Sequence, residues 1–118
     1  MSETRTQQEI FDIVYRGLAA QGFRRSERNY RSAYRGEGGL KCSIGHLIPD
    51  ARYVPELEGR ATTDPLIREV AGIEEANAEF MEDLQAAHDA SDAVEDTPTY
   101  MRKRLEMSAA KYNLVIPS

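Results

Sequence analysis

Residues 34–59 read Tyr-Arg-Gly-Glu-Gly-Gly-Leu-Lys-Cys-Ser-Ile-Gly-His-Leu-Ile-Pro-Asp-Ala-Arg-Tyr-Val-Pro-Glu-Leu-Glu-Gly. They hold five of the chain's eight glycines, two of its five prolines, its single cysteine and one of its two histidines. Tyr30 to Arg35 and Leu40 to Cys42 flank the tetrad Gly36-Glu37-Gly38-Gly39. Glycines that reach positive φ make such a tetrad a turn, so a small β-hairpin is predicted there. Ser43 to Ile48 reads as one or two helical turns ended by Pro49, and Pro49-Asp50 and Val54-Pro55 mark turns on either side of Tyr53.

On the N-terminal side, Thr6-Gln7-Gln8-Glu9 has the form of a capping box. Ile10, Phe11, Val14 and Leu18 follow at helical spacing and Gly22 stands at a stop position, which predicts a helix over residues 7–21. Gly17 weakens it by up to about 1 kcal/mol relative to alanine. Residues 24–32 are polar and without period, so an exposed loop is expected. On the C-terminal side, Asp64 caps and Pro65 opens a short helix through Val70, interrupted at Gly72. Ile73, Ala76, Phe80, Leu84 and Ala87 give a second stripe reaching about residue 90. A last helix starts at Thr97-Pro98 with Met101, Leu105, Ala109 and Tyr112, stops at Asn113, and leaves Leu114 to Ile116 to pack back. The expected fold is one α+β domain spanning residues 1–118, mainly helical, with about four helices and one small β-hairpin.

The 118 residues, 41% hydrophobic and 30% charged, are those of a globular chain with a modest core. No apolar run approaches the roughly 18 residues of a membrane span. The N-terminus lacks an apolar signal region, and a single cysteine fits a reducing compartment, so a cytoplasmic protein is expected. The net charge of −5 hides an asymmetry. Arg24, Arg25, Arg28, Arg31, Arg35 and Lys41 face only Glu27 and Glu37 in their segment, whereas Glu74 to Asp96 is acidic without a single Lys or Arg. Either segment suits a binding face, and the simpler reading is that the two complement each other within the fold or keep the chain in solution.

Three chemistries fit the unusual residues. Cys42 follows the glycine turn at the start of a short helix, where a thiolate is favoured. His46 lies one helical turn on, and His88-Asp89 would supply an alternative base with its orienting carboxylate. The plainer account makes Cys42 a buried apolar filler and His88 a half-buried histidine bonded to backbone. Zinc would draw on Cys42, His46, His88 and Asp89 or Asp92, but paired ligand spacings are missing, so no metal is expected. Finally, Tyr34, Arg35, Lys41 and Tyr53 are candidate ligand-binding residues, with tyrosine faces and cations suited to a base and its phosphates. No GxxxxGK[ST] or GxGxxG pattern is present.

Tyr34-Arg-Gly, Gly39-Leu-Lys-Cys-Ser-Ile-Gly-His-Leu-Ile-Pro-Asp50, Tyr53, Leu57-Glu-Gly59 and Phe80-Met-Glu-Asp-Leu-Gln-Ala-Ala-His-Asp89 resemble a group of small uncharacterised proteins of tailed bacteriophages and prophages. The resemblance runs from the first helix to the last. In that group the position of His46 is often another residue, including cysteine, which favours Cys42 with His88 and Asp89 over Cys42 with His46. The resemblance implies a non-enzymatic accessory protein, without cofactor, that binds a host protein, inhibition of host defence being one such role. The alternatives are a small enzyme using Cys42 with His88 or His46, and a nucleotide binder working through the basic hairpin.

Overall fold

The computed structural model describes residues 5–28, 31–89 and 97–117. Among the described residues, four α-helices and one two-stranded antiparallel hairpin form an α+β arrangement, as expected. Helix α1, Gln7–Ala20, begins with the capping box: the Glu9 amide donates to Thr6 Oγ1 at 3.1 Å and the Thr6 amide to Glu9 Oε1 at 2.8 Å. Its Ile10, Phe11, Val14 and Leu18 are buried. Each such side chain contributes about 1.5–3 kcal/mol by leaving water. Gly17 belongs in this helix because the His46 ring lies against it; a Cβ there would collide with the ring.

The hairpin lies earlier in the chain than the glycine tetrad suggested. Strands β1, Glu27–Arg28, and β2, Arg31–Ser32, pair with Glu27 opposite Ser32 and Arg28 opposite Arg31. The predicted pairing of the segments around Gly36–Gly39 survives only as a single bridge between Arg35 and Lys41, because Glu37–Gly39 coils into a 3₁₀ turn. Ser26 explains the shift. It is fully buried, in a segment expected to be exposed, and its hydroxyl donates to the carbonyls of Ala33 at 2.7 Å and Leu40 at 3.2 Å. With the Ala33 amide donating to Ser26 O at 3.1 Å, Ser26 draws the two arms together one step below β1 and β2. Tyr30, the predicted start of a strand, is outside the described residues.

The middle of the chain is a run of 3₁₀ turns, Ile44–Leu47, Asp50–Arg52 and Pro55–Leu57. The first is the hub: Ile44, Gly45 and Leu47 are buried, and it packs on α1, on α2 (Pro65–Ala71) and on α3 (Ala78–Asp89). Gly45 is required by close approach, since a Cβ would run into the Tyr34 carbonyl. Asp64 Oδ1 caps α2 by accepting from the Leu66 amide at 2.8 Å, and Gly72 ends the helix in the left-handed region. Helix α3 starts later than its predicted stripe. Ala76 is exposed in a 3₁₀ turn, and burial along the helix begins at Phe80.

Helix α4, Thr97–Lys111, buries Met101, Leu105 and Ala109. Tyr112 meets Phe80 edge-to-face at 4.7 Å, locking α4 to α3. Asn113 takes the left-handed conformation expected of it. Leu114 packs on the core, whereas Val115 and Ile116 are exposed. The side-chain amide of Gln8 pairs with Val115 as a peptide group would, donating to Val115 O at 2.8 Å and accepting from Val115 N at 2.9 Å. Among the described residues no helix is long and apolar enough to cross a membrane.

Candidate functional site

Cys42 enters the hub with 1% of its surface exposed. Burial pushes its thiol up to about 12, outweighing the Gly45 amide that donates to Sγ at 3.4 Å. The sequence had suggested thiolate stabilisation at a helix start. That effect loses here because the turn is one short 3₁₀ segment and the sulfur is removed from water. The following residues tie the same turn to α3. Ser43 Oγ donates to Leu84 O at 2.7 Å, and the Ile44 amide donates to Gln85 Oε1 at 3.2 Å.

The two histidines serve opposite sides of the hub. His46 turns toward α1, where Nε2 lies 3.1 Å from Gln21 Oε1. That oxygen also accepts from the Lys41 amide at 3.1 Å, so Nε2 carries the ring proton and donates. Burial first, then the nearby charges of Lys41 and Arg35, depress His46 to about 4 and keep it neutral. His88 is fully buried on α3. Its Nε2 accepts from the Ser26 amide at 2.8 Å, so its ring proton sits on Nδ1, 2.8 Å from Asp89 Oδ1. The same carboxylate oxygen accepts from Ser32 Oγ at 2.7 Å and from Gln85 Nε2 at 3.0 Å. Burial alone would raise the Asp89 carboxyl, but these donors and the His88 ring lower it on balance.

Cys42, Gln85 and Asp89 meet at one cleft of about 310 Å³, together with Ser32, Tyr34 and Thr62, and neither histidine lines it. A thiol attack assisted by imidazole needs a nitrogen turned to the sulfur. Here His46 Nε2 faces Gln21 and its Nδ1 lies against Gly17, while both His88 nitrogens are engaged by Ser26 and Asp89. Among the described residues no three of the histidine, cysteine and carboxylate side chains gather as metal ligands; Asp92 lies outside them.

Tyr34, Arg35, Lys41 and Tyr53 do converge, as a clasp that closes on the chain itself. The Arg35 guanidinium stacks 4.8 Å from the Tyr53 ring centroid, donates to Ile48 O at 2.8 Å and pairs with Asp50 at 2.8 Å. Lys41 Nζ lies 3.8 Å from the same carboxylate. Glu58 completes the clasp by accepting from the Tyr34 amide at 2.9 Å, the Arg35 amide at 3.0 Å and the Tyr53 hydroxyl at 2.7 Å. Tyr34 is buried, with its hydroxyl donating to Arg60 O at 2.7 Å. Burial, then the Glu58 hydrogen bond, pushes Tyr53 up to about 12. The spacing Tyr-Arg-Gly, Pro-Asp, Tyr, Leu-Glu-Gly is therefore the spacing of this clasp.

Sequence reasoning missed Ser26, Gln21, Gln85 and Glu58, which hold the hub without belonging to any chemical motif. Glu58, inside the Leu57-Glu-Gly59 phrase, and Gln85, inside the Phe80 to Asp89 phrase, carried a signal; Ser26 and Gln21 did not. What faces solvent is charge: Arg24, Arg28 and Arg31 on the hairpin side, Glu74 and Glu75 at the turn before α3, and Glu79 and Glu82 on α3. No protein-family model, curated protein or solved structure matches this chain.

Proposed function

We propose that this is a small phage-type accessory protein that acts by binding a host protein and has no catalytic step. One observation carries the reading: the only thiol is buried at 1% exposure, with its acidity suppressed and no imidazole turned toward it. The Leu-Lys-Cys-Ser-Ile-Gly-His phrase then serves to place the hub between three helices, and the surface around it does the work. A nucleotide at the Tyr34–Arg35–Lys41–Tyr53 cluster would have to displace Asp50 from two cations and break the Arg35–Tyr53 stack, which disfavours that alternative. The test is affinity capture from host lysate with the wild-type chain and Cys42→Ala. Binding predicts the same captured protein with both chains. A host-directed activity that Cys42→Ala abolishes in a folded protein would contradict it.

A further inference from the structure

The hairpin carries an arrangement that the fold itself does not need. Arg28 and Arg31 are directly opposite in the β1–β2 register. Their side chains therefore leave the same face about 5 Å apart at Cβ, and like charges so placed destabilise a strand pair. Both are exposed, and no carboxylate among the described residues pairs with either. The nearby carboxylates have other partners: Glu27 binds Arg25 at 2.8 Å, and Glu58 holds the clasp. The two cations overlook a cleft of about 500 Å³, formed with Ser32, Ala33, Glu58 and Gly59.

That cleft shares Ser32 and Gly59 with the 310 Å³ cleft, whose far side is lined by Arg60, Thr62, Gln85 and Asp89, so the two adjoin as one trough. One end thus carries Arg28 and Arg31, unpaired among the described residues, beside the Glu58 carboxylate, which is already bonded to the clasp, and the other end carries Arg60 and Asp89. Ser32 adds a backbone feature. The Ala33 amide bonds Ser26 O, so by the alternation of an antiparallel ladder the Ser32 peptide groups point away from β1, onto the outer edge of β2. Two residues on, the Tyr34 amide on that edge is closed by Glu58. The open edge at Ser32 can hydrogen-bond an added extended backbone.

We propose that this trough docks an extended segment of a protein partner, with acidic residues of the segment held by Arg28 and Arg31 and its neutral remainder laid along Ser32 and Gly59. The proposal rests on the reading that the protein acts by binding another protein, and it names the surface and the partner's chemistry. A compact phosphate would use the cationic mouth alone and leave the elongated floor and the Ser32 edge without a role.

The experiment measures fluorescence anisotropy of a labelled decapeptide, Glu-rich in its first half and Thr/Val-rich in its second, at low ionic strength. Binding is expected, weakened by salt and at least about tenfold weaker for R28E/R31E. R102E/K103E changes two exposed α4 cations by the same net charge and is expected to bind like wild type. Circular dichroism and Tm check that each variant is folded, and R28A/R31A replaces the reversal should it unfold. No binding of the acidic peptide, equal loss in both reversals, or displacement of the peptide by pyrophosphate at concentrations far below those of a carboxylate competitor would overturn the proposal. In lysate capture, a host protein retained undiminished by R28E/R31E overturns this site while leaving the binding reading intact. A wild-type chain that captures no protein overturns the binding reading itself.

Discussion

The Ser26 amide donates to Nε2 of His88 at 2.8 Å, joining the loop before the hairpin to α3 across 62 residues of sequence. Both residues are fully buried, and together with Ser32 Oγ on Asp89 this bond seats the hairpin on the helical body; the bond itself decides which nitrogen of His88 carries the proton. It also ties the stability of the hairpin to a side chain that the sequence presents as a candidate base.

His88→Ala is expected to lower unfolding free energy by about 2–4 kcal/mol. It leaves the Ser26 amide buried without an acceptor and opens a cavity in α3. Urea denaturation followed by circular dichroism measures it. A loss no larger than that of an exposed substitution would mean that water replaces the imidazole.

Gly17→Ala reverses the usual helix rule. Alanine in a helix interior ordinarily gains about 1 kcal/mol over glycine, but here the new Cβ meets the His46 ring. A net loss of about 1–3 kcal/mol is expected from the forced shift. Gly17→Ala combined with His46→Ala should recover more stability than the two single changes predict by addition. Strict additivity in that cycle would remove the His46 contact as the cause.

Stability should fall in acid through His46. Its folded value, depressed by burial to about 4, lies below the ordinary 6.5, so between those pH values the unfolded chain binds the extra proton. The contribution is complete above pH 6.5 and is lost as pH drops toward 4. With the ring partly exposed, about 1–2 kcal/mol is expected. Below that window the Asp89 carboxylate, itself lowered, adds a further loss. His46→Asn should flatten the profile between pH 6.5 and 4, and an unchanged slope would contradict the assignment.

Local signals carried much of the fold. Thr6 and Glu9, Asp64 with Pro65 and Gly72, and Asn113 act within a turn of their own position, so residue type alone placed those helix ends. The stripe Phe80, Leu84, Ala87 was legible for the same reason, while Ala76 fell off it because Glu75–Asn77 is a 3₁₀ turn with a different period. The hairpin was misplaced since two-residue strands of Glu, Arg, Arg and Ser have no alternation to read, and their pairing depends on Ser26 reaching Ala33 and Leu40. Tyr34, Arg35, Lys41 and Tyr53 lie together in the fold, but their partners Asp50 and Glu58 are ordinary carboxylates that only tertiary contact identifies. The same holds for Gln85, whose amide oxygen meets Ile44 and whose nitrogen meets Asp89.

Alkylation of the native protein by iodoacetamide at neutral pH probes the central claim most directly, because a thiol held inside the hub reacts only when the hub opens. Labelling of Cys42 is expected to be slow in buffer, to become fast in denaturing urea, and to speed up in His88→Ala, where the hub is weakened. Rapid labelling of the fully folded wild-type chain, at or above the rate of a free cysteine in a peptide, would place a reactive thiolate at the surface and contradict the account of this chain as a binding protein built around an inert sulfur.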